Sequence, residues 1–148
     1  MQKTLTSFDV AAVVIELKER LPGAHVQNVY QKRQTFVLKL HKPSQPALNL
    51  LVEPGKRLHL TSYVVEKPQM PPAFCMVLRR YLRNGVIVDV SQHEFERIVV
   101  LTVRTKEGEK RLVVELFGDG NIILVDSQNL IQQALVFKRM RDRNILRG

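Results

Sequence analysis

Apolar residues recur along this chain in rhythms that change sharply from one stretch to the next. Near the start, Val10, Val13, Val14, Leu17 and Leu21 follow an i, i+3, i+4, i+7 spacing. That spacing predicts an amphipathic helix with one face on a core. Glu16, Lys18, Glu19 and Arg20 fall on its outer side, and Pro22-Gly23 ends it. Thr6 and Asp9 open it as a capping box, with Asp in place of the usual Glu. From His25 the period becomes two. Val26 to Gln31, Thr35 to His41, Ala47 to Glu53 and Arg57 to Thr61 read as successive strands. Lys32-Arg33-Gln34, the loop Pro43 to Pro46, and Pro54-Gly55 connect them, which predicts a meander.

Val65 to Pro72 is a connector carrying Pro68, Pro71 and Pro72. Pro72 suits the first turn of a second helix, whose apolar stripe is Phe74, Val77, Leu78, Tyr81 and Leu82. Arg79, Arg80 and Arg83 lie outside that stripe, and Asn84-Gly85 supplies the C-cap. Further strands are predicted over Val86 to Val90, Phe95 to Arg104, Lys110 to Phe117, Asn121 to Asp126 and Leu130 to Phe137. The most apolar stretch is Leu112 to Asp126, LVVELFGDGNIILVD. Its Gly118-Asp119-Gly120-Asn121 centre accepts positive φ, so it reads as a tight hairpin with both arms buried. The expected fold class is α+β: two packed antiparallel sheets with two helices.

Composition sharpens this picture. At 148 residues the chain is one domain, large enough to fold without disulfides or a structural metal. The single cysteine, Cys75, leaves no intramolecular disulfide framework and points to a reducing compartment. The N-terminus lacks a signal-peptide core, and no run reaches the roughly 18 apolar residues of a membrane span. A soluble cytoplasmic protein is expected, with no membrane partner. Lys plus Arg number 23 against 14 Asp plus Glu, a net charge of +9. That excess points to a polyanionic partner, nucleic acid before an anionic membrane.

Catalytic signatures are missing. His25, His41, His59, His93 and Cys75 have no metal-ligand spacing, so no metal or cofactor is expected. Gly118-x-Gly120 leads into a strand, with Ile123 where a dinucleotide fingerprint needs its third glycine. There is no P-loop and no nucleophile elbow. The expectation is a protein that is not an enzyme.

ELFGDGNIILVD (Glu115 to Asp126) resembles the signature of the NFACT family's N-terminal domain. FDVAAVVIELKERLPGAHVQNVYQ (Phe8 to Gln31) resembles the family's opening. LLVEPGKRLHLT (Leu50 to Thr61), KPQMPPAFCMVLRRYLRNGVI (Lys67 to Ile87) and FERIVVL (Phe95 to Leu101) resemble later blocks in the same order, with an archaeal-like pattern. These are ribosome-associated quality-control factors, historically also called fibronectin-binding proteins. The resemblance implies residues 1–137 as the N-terminal domain and 138–148 as the basic start of an inter-domain segment. It implies binding to tRNA, possibly alanyl-tRNA, and to the large ribosomal subunit carrying peptidyl-tRNA. Recruitment of tRNA for C-terminal tailing of stalled chains would be the purpose, together with the family's remaining domains. It also implies a fold similar to the N-terminal domain of formamidopyrimidine-DNA glycosylases. Gln2 and Lys3 stand where those enzymes carry their proline nucleophile and glutamate, so that chemistry is not carried over. The rivals are a glycosylase- or lyase-like nucleic-acid-binding domain and a matrix (fibronectin) binding protein.

The resemblance also singles out residues. Asp9 matches an aspartate implicated in tailing, and equally suits a capping role at a helix start. Glu96-Arg97 matches the family's Asp-Arg pair, implicated in tRNA contact, with the acid one methylene longer. In a regular strand Arg97 would share a face with Phe95, Val99 and Leu101, and Glu96 with Ile98 and Val100. Arginine's planar fork suits a phosphate or a base. Arg79, Arg80 and Arg83 are either a solvated helix face or a track for RNA phosphates. Lys138, Arg139, Arg141 and Arg143 are a basic linker or an RNA stripe. Tyr30, Tyr63 and Tyr81, with no tryptophan, supply little for a base-stacking platform, and Tyr81 reads as core.

Overall fold

The computed structural model describes residues 6–62, 71–94, 96–136, 139–140 and 143–144. Helix α1 spans Ser7–Arg20 and is opened by the expected capping box. Val10, Val14 and Leu17 on its inner face, and Leu21 just beyond it, are fully or almost fully buried. Four strands follow as a meander: β1 His25–Lys32, β2 Thr35–His41, β3 Leu48–Glu53 and β4 Arg57–Thr61. Helix α2 spans Ala73–Leu82, and its buried residues are Cys75, Leu78 and Leu82. Val77 is only half-buried, so Cys75 takes the central place that periodicity gave to Val77. A second meander comprises β5 Val86–Gln92, β6 Ile98–Thr105, β7 Gly108–Glu115, β8 Asn121–Val125 and β9 Ile131–Ala134. A ribbon of β10 Arg139–Met140 and β11 Arg143–Asn144 ends the described chain. The connector at 63–70, Phe95 and the side chains of the basic tail lie outside the described residues. Among the described residues no helix is long and apolar enough to cross a membrane.

The strands form one antiparallel nine-stranded sheet, in the order β4-β3-β2-β1-β5-β6-β7-β8-β9, where two sheets were expected. The reason is a short junction between the meanders. His25 pairs with Val86. Around that pair Val26 N–H donates to Gly85 O at 2.8 Å, Ile87 N–H to Ala24 O at 2.9 Å and Gly23 N–H to Ile87 O at 2.8 Å. Both helices stop immediately before this point and deliver β1 and β5 side by side. Each strand is then irregular, β1 between Val26 and Asn28 and β5 between Ile87 and Asp89. Bulges bend a strand and increase its twist. Asn84, at φ +72°, takes the left-handed position after α2. Gly85 is needed for space instead, since a Cβ there would lie 2.6 Å from Val103 Cγ1.

The far ends of the meanders meet as well. Gly55 N–H, in the β3–β4 turn, donates to Glu115 O at 3.0 Å. A Cβ on Gly120, in the β7–β8 turn, would lie 2.0 Å from Gly55 N and 2.2 Å from Pro54 C. The two turns therefore pack backbone to backbone. One hydrophobic core is shared by both helices and both meanders, including Leu17, Phe36, Leu50, Leu78, Leu101 and Leu112. The apolar hairpin serves two faces. Leu112, Val114, Leu116, Ile122 and Leu124 point into that core. Ile123 packs on the other face with Ala134, Val113, Val125 and Ile131.

Asn121 does not take the positive φ its turn position suggested; Gly118 (φ +57°) and Gly120 (φ +79°) do. Asn121 opens β8 with 2% exposure. Its Oδ1 accepts from Ile122 N–H and Val136 N–H, both at 2.9 Å, and its Nδ2 donates to Val136 O at 2.8 Å. The side chain thus replaces ladder bonds where the chain after β9 leaves the regular register.

Candidate nucleic-acid interface

The site begins at the N-terminus of α1. Thr6 Oγ1 accepts from Asp9 N–H at 3.1 Å, and Asp9 Oδ2 accepts from Thr6 N–H at 3.0 Å. The Thr6 backbone bond, and then its hydroxyl, hold the Asp9 carboxyl below its ordinary value. Asp9 is fully exposed, so the carboxylate that caps the helix also faces solvent.

Gln92, the last residue of β5, joins this helix start to the loop that follows. Its Nε2 donates to Ser7 O at 3.1 Å and to Glu96 O at 2.6 Å. The loop is closed by His93 N–H donating to Ile98 O at 2.9 Å and Glu96 N–H to His93 O at 3.0 Å. Regular β5–β6 pairing ends at Gln92↔Val99. Glu96 and Arg97 therefore sit in the loop before β6 and not in the strand where alternation placed them. Glu96 is exposed and Arg97 half-buried. Arg97 O accepts from Leu116 N–H at 2.8 Å, which fixes the loop against the chain leaving β7. Gln92 thus ties the Glu96-Arg97 loop to Ser7, the first residue of the helix that Asp9 caps. Gln92 is the residue that sequence reasoning missed. Its signal was faint: a polar residue with two side-chain donors ending an apolar strand.

The same loop groups His93, Glu94 and Glu96, one ligand atom of each lying within 4.8 Å of the others. Linear spacing gave no hint of this. All three are exposed. Metal sites ordinarily hold their ligands with further hydrogen bonds from the protein, and acidic groups at a surface gather without an ion.

The arginines of α2 do not form one solvated face. Beyond Val26, β1 separates from β5, and α2 covers its freed edge. Cys75 Sγ–H donates to Val29 O at 3.2 Å and Arg79 Nε–H to the same oxygen at 2.7 Å. The Arg79 guanidinium lies 5.5 Å from the centre of the Tyr30 ring. Arg83 donates to Asn28 Oδ1 at 2.8 Å. Arg79 is half-buried and holds helix to strand; Arg80 and Arg83 remain exposed. Burial pushes the Cys75 thiol up, partly opposed by Arg79. Tyr81 packs against the core, as expected, with Arg80 5.5 Å and buried Lys110 5.1 Å from its ring centre.

Residues 6–148 match the family described as NFACT N-terminal and middle domains. The chain belongs to the NFACT family. It is 38% identical over 152 residues to a protein of Methanocaldococcus jannaschii named "Archaeal Rqc2 homolog aRqcH", covering 99% of this chain and 22% of that one. It is 35% identical to the mouse protein named "Ribosome quality control complex subunit NEMF", covering 93% of this chain and 13% of that one. Among solved structures, the N-terminal domain of fibronectin-binding protein PavA from Streptococcus pneumoniae superposes with a TM-score of 0.84 at 31% identity. That match covers 97% of this chain and 59% of the other. The chain thus spans less than a quarter of the length of the archaeal and mouse relatives. The α+β fold is shared with the PavA domain.

Proposed function

We propose that this NFACT domain is a non-enzymatic RNA-binding module of a cytoplasmic ribosome quality-control factor. It contacts tRNA, alanyl-tRNA among the candidates, and works with the remaining domains of a longer protein on a large subunit holding peptidyl-tRNA. The relatives named as ribosome quality control subunits support the setting. The observation that carries the reading is the Gln92 clamp, which ties the Glu96-Arg97 loop to the start of the helix that Asp9 caps, in a chain with net charge +9. Arg97 supplies a cation with a planar fork for phosphate or base. The carboxylates repel phosphate, so Asp9 and Glu96 accept from base or ribose donors or orient arginines. Arg80 and Arg83 add phosphate contacts at a distance from this pair.

The test is binding of the chain to alanyl-tRNA, other tRNAs and duplex DNA across a salt series, with Arg97→Ala beside it. A tRNA preference that Arg97→Ala abolishes, with folding intact, supports the reading. Equal, steeply salt-dependent binding to every polyanion in both proteins sinks it. A matrix-binding reading is favoured by the fibronectin-binding name of the solved relative. Immobilised fibronectin belongs in the same experiment, and saturable capture that RNA does not compete away would favour that alternative. For a glycosylase-like reading, incision of damaged duplex is the discriminating readout.

A further inference from the structure

A cavity of about 750 Å³ opens at the other end of the first meander, where the β1–β2 and β3–β4 turns lie side by side. Its lining includes Lys32, Arg33, Lys56, Arg57 and His59. These residues follow from the pleat. Phe36, Leu50, Val52 and Leu58 point into the core. The register pairs Lys32 with Thr35, Leu51 with His59 and Glu53 with Arg57, and side chains alternate, so this set occupies the opposite face. The carboxylate among the lining residues is Glu53, already engaged by Arg57 Nε at 2.9 Å and Lys56 Nζ at 3.6 Å. Lys56 and Arg57 thus share that carboxylate, and Lys32 and Arg33 add two further positive charges to the lining.

Arg33 stands out further. It is exposed at φ +58°, a left-handed turn position where glycine or asparagine is favoured. Buried Gln31 secures the turn by donating from Nε2 to Arg33 O at 2.9 Å.

The cleft is also tied to the Arg97 loop. Gly55 N–H bonds to Glu115 O and Leu116 N–H bonds to Arg97 O. The carbonyl and N–H of that shared trans peptide point in opposite directions. Arg97 and Gly55 thus flank one segment of chain, about 10 Å apart at roughly 5 Å per interstrand step.

We infer that the cleft formed by Lys32, Arg33, Lys56 and Arg57 is a phosphodiester-binding surface that continues the Arg97 site, so that one RNA strand runs from the 92–97 loop across the Pro54–Lys56 turn into the cleft. The inference rests on the RNA-binding reading and extends it to a second set of contacts. Phosphate contacts of this kind position an RNA without reading its sequence.

The experiment measures tRNA binding by fluorescence anisotropy between about 50 and 200 mM salt. The proteins are the wild-type chain, Arg33→Gly, Lys56→Gln, their double variant, and the charge-preserving Arg33→Lys/Lys56→Arg. Each neutralisation is expected to lower the slope of log affinity against log salt by about one. The double variant should bind roughly tenfold more weakly at low salt, alike for all tRNAs, while the charge-preserving variant matches wild type. Arg33→Gly should also raise the thermal midpoint by relieving the left-handed arginine, so its weaker binding cannot come from misfolding. Unchanged affinity and slope in the double variant, with binding lost in Arg97→Ala, would overturn the cleft and leave the RNA reading standing. No tRNA binding by wild type would overturn both.

Discussion

The contact between the β3–β4 and β7–β8 turns can be tested with a matched pair of glycines. Gly118 and Gly120 both have positive φ, +57° and +79°. Alanine in a left-handed conformation costs about 1–2 kcal/mol at either position. Nothing lies within 4 Å of a Cβ at Gly118, so Gly118→Ala should cost that amount and no more. At Gly120 the added Cβ would sit 2.0 Å from Gly55 N and 2.2 Å from Pro54 C. These are backbone atoms, and no rotamer change moves them away. The turns must part, which strains the 3.0 Å bond from Gly55 N–H to Glu115 O. Gly55 and Glu115 are buried, and a buried group left unpaired costs about 1–3 kcal/mol. Gly120→Ala should therefore cost about 2–5 kcal/mol, a large share of the roughly 5–15 kcal/mol that holds a domain folded. Urea unfolding followed by far-ultraviolet circular dichroism measures both variants. Equal losses would refute the reasoning, because they would mean that left-handed strain accounts for both and the turns do not press together.

Other outcomes follow from individual contacts. Thr6→Ala should lower stability by about 1 kcal/mol through the lost cap. It should also raise the Asp9 carboxyl only part of the way back, because the larger contribution, from the Thr6 backbone N–H, remains; an NMR titration reads this. The folded carboxyl lies below its unfolded value, so its contribution is present above pH 3.8 and is lost as pH falls through the folded value. Gln92→Leu should cost about 1–2 kcal/mol by removing two bonds, and hydrogen exchange should speed up across residues 93–97 and the first turn of α1. Cys75 has a raised thiol value, so iodoacetamide should leave it unmodified in the native chain and modify it on unfolding, by intact mass. The same shift means that its contribution is complete below pH 9.0 and declines as pH rises through the higher folded value. Arg79→Ala should destabilise by about 1–2 kcal/mol through the lost bond to Val29 O, whereas Arg80→Ala should cost at most about 0.5–1 kcal/mol through its Tyr81 contact and mainly weaken RNA binding.

Much of this protein was legible in the residues themselves. Local chemistry wrote α1, because its stripe, its Thr6–Asp9 box and its Pro22-Gly23 stop all act within a few residues. The strands of both meanders came from alternation and from turn residues, as did the two-faced apolar hairpin. The co-linear blocks named the family before any geometry was known.

Tertiary structure decided the rest, for reasons that no short window of sequence contains. Alternation placed Glu96-Arg97 in a strand, but the bonds from His93 to Ile98 and from Gln92 to Glu96 and Ser7 made a loop and tied it to the start of α1. Helical spacing placed Arg79 in solvent. The edge that β1 exposes on leaving β5 drew that guanidinium inward, because a buried carbonyl needs a donor. Two meanders suggested two sheets, and one pairing at His25 and Val86 merged them. The basic cleft exists only because turns more than 20 residues apart lie side by side. Periodicity reports which face of an element is apolar; which elements share a hydrogen bond, and which charges share a cleft, depends on where the chain returns in space.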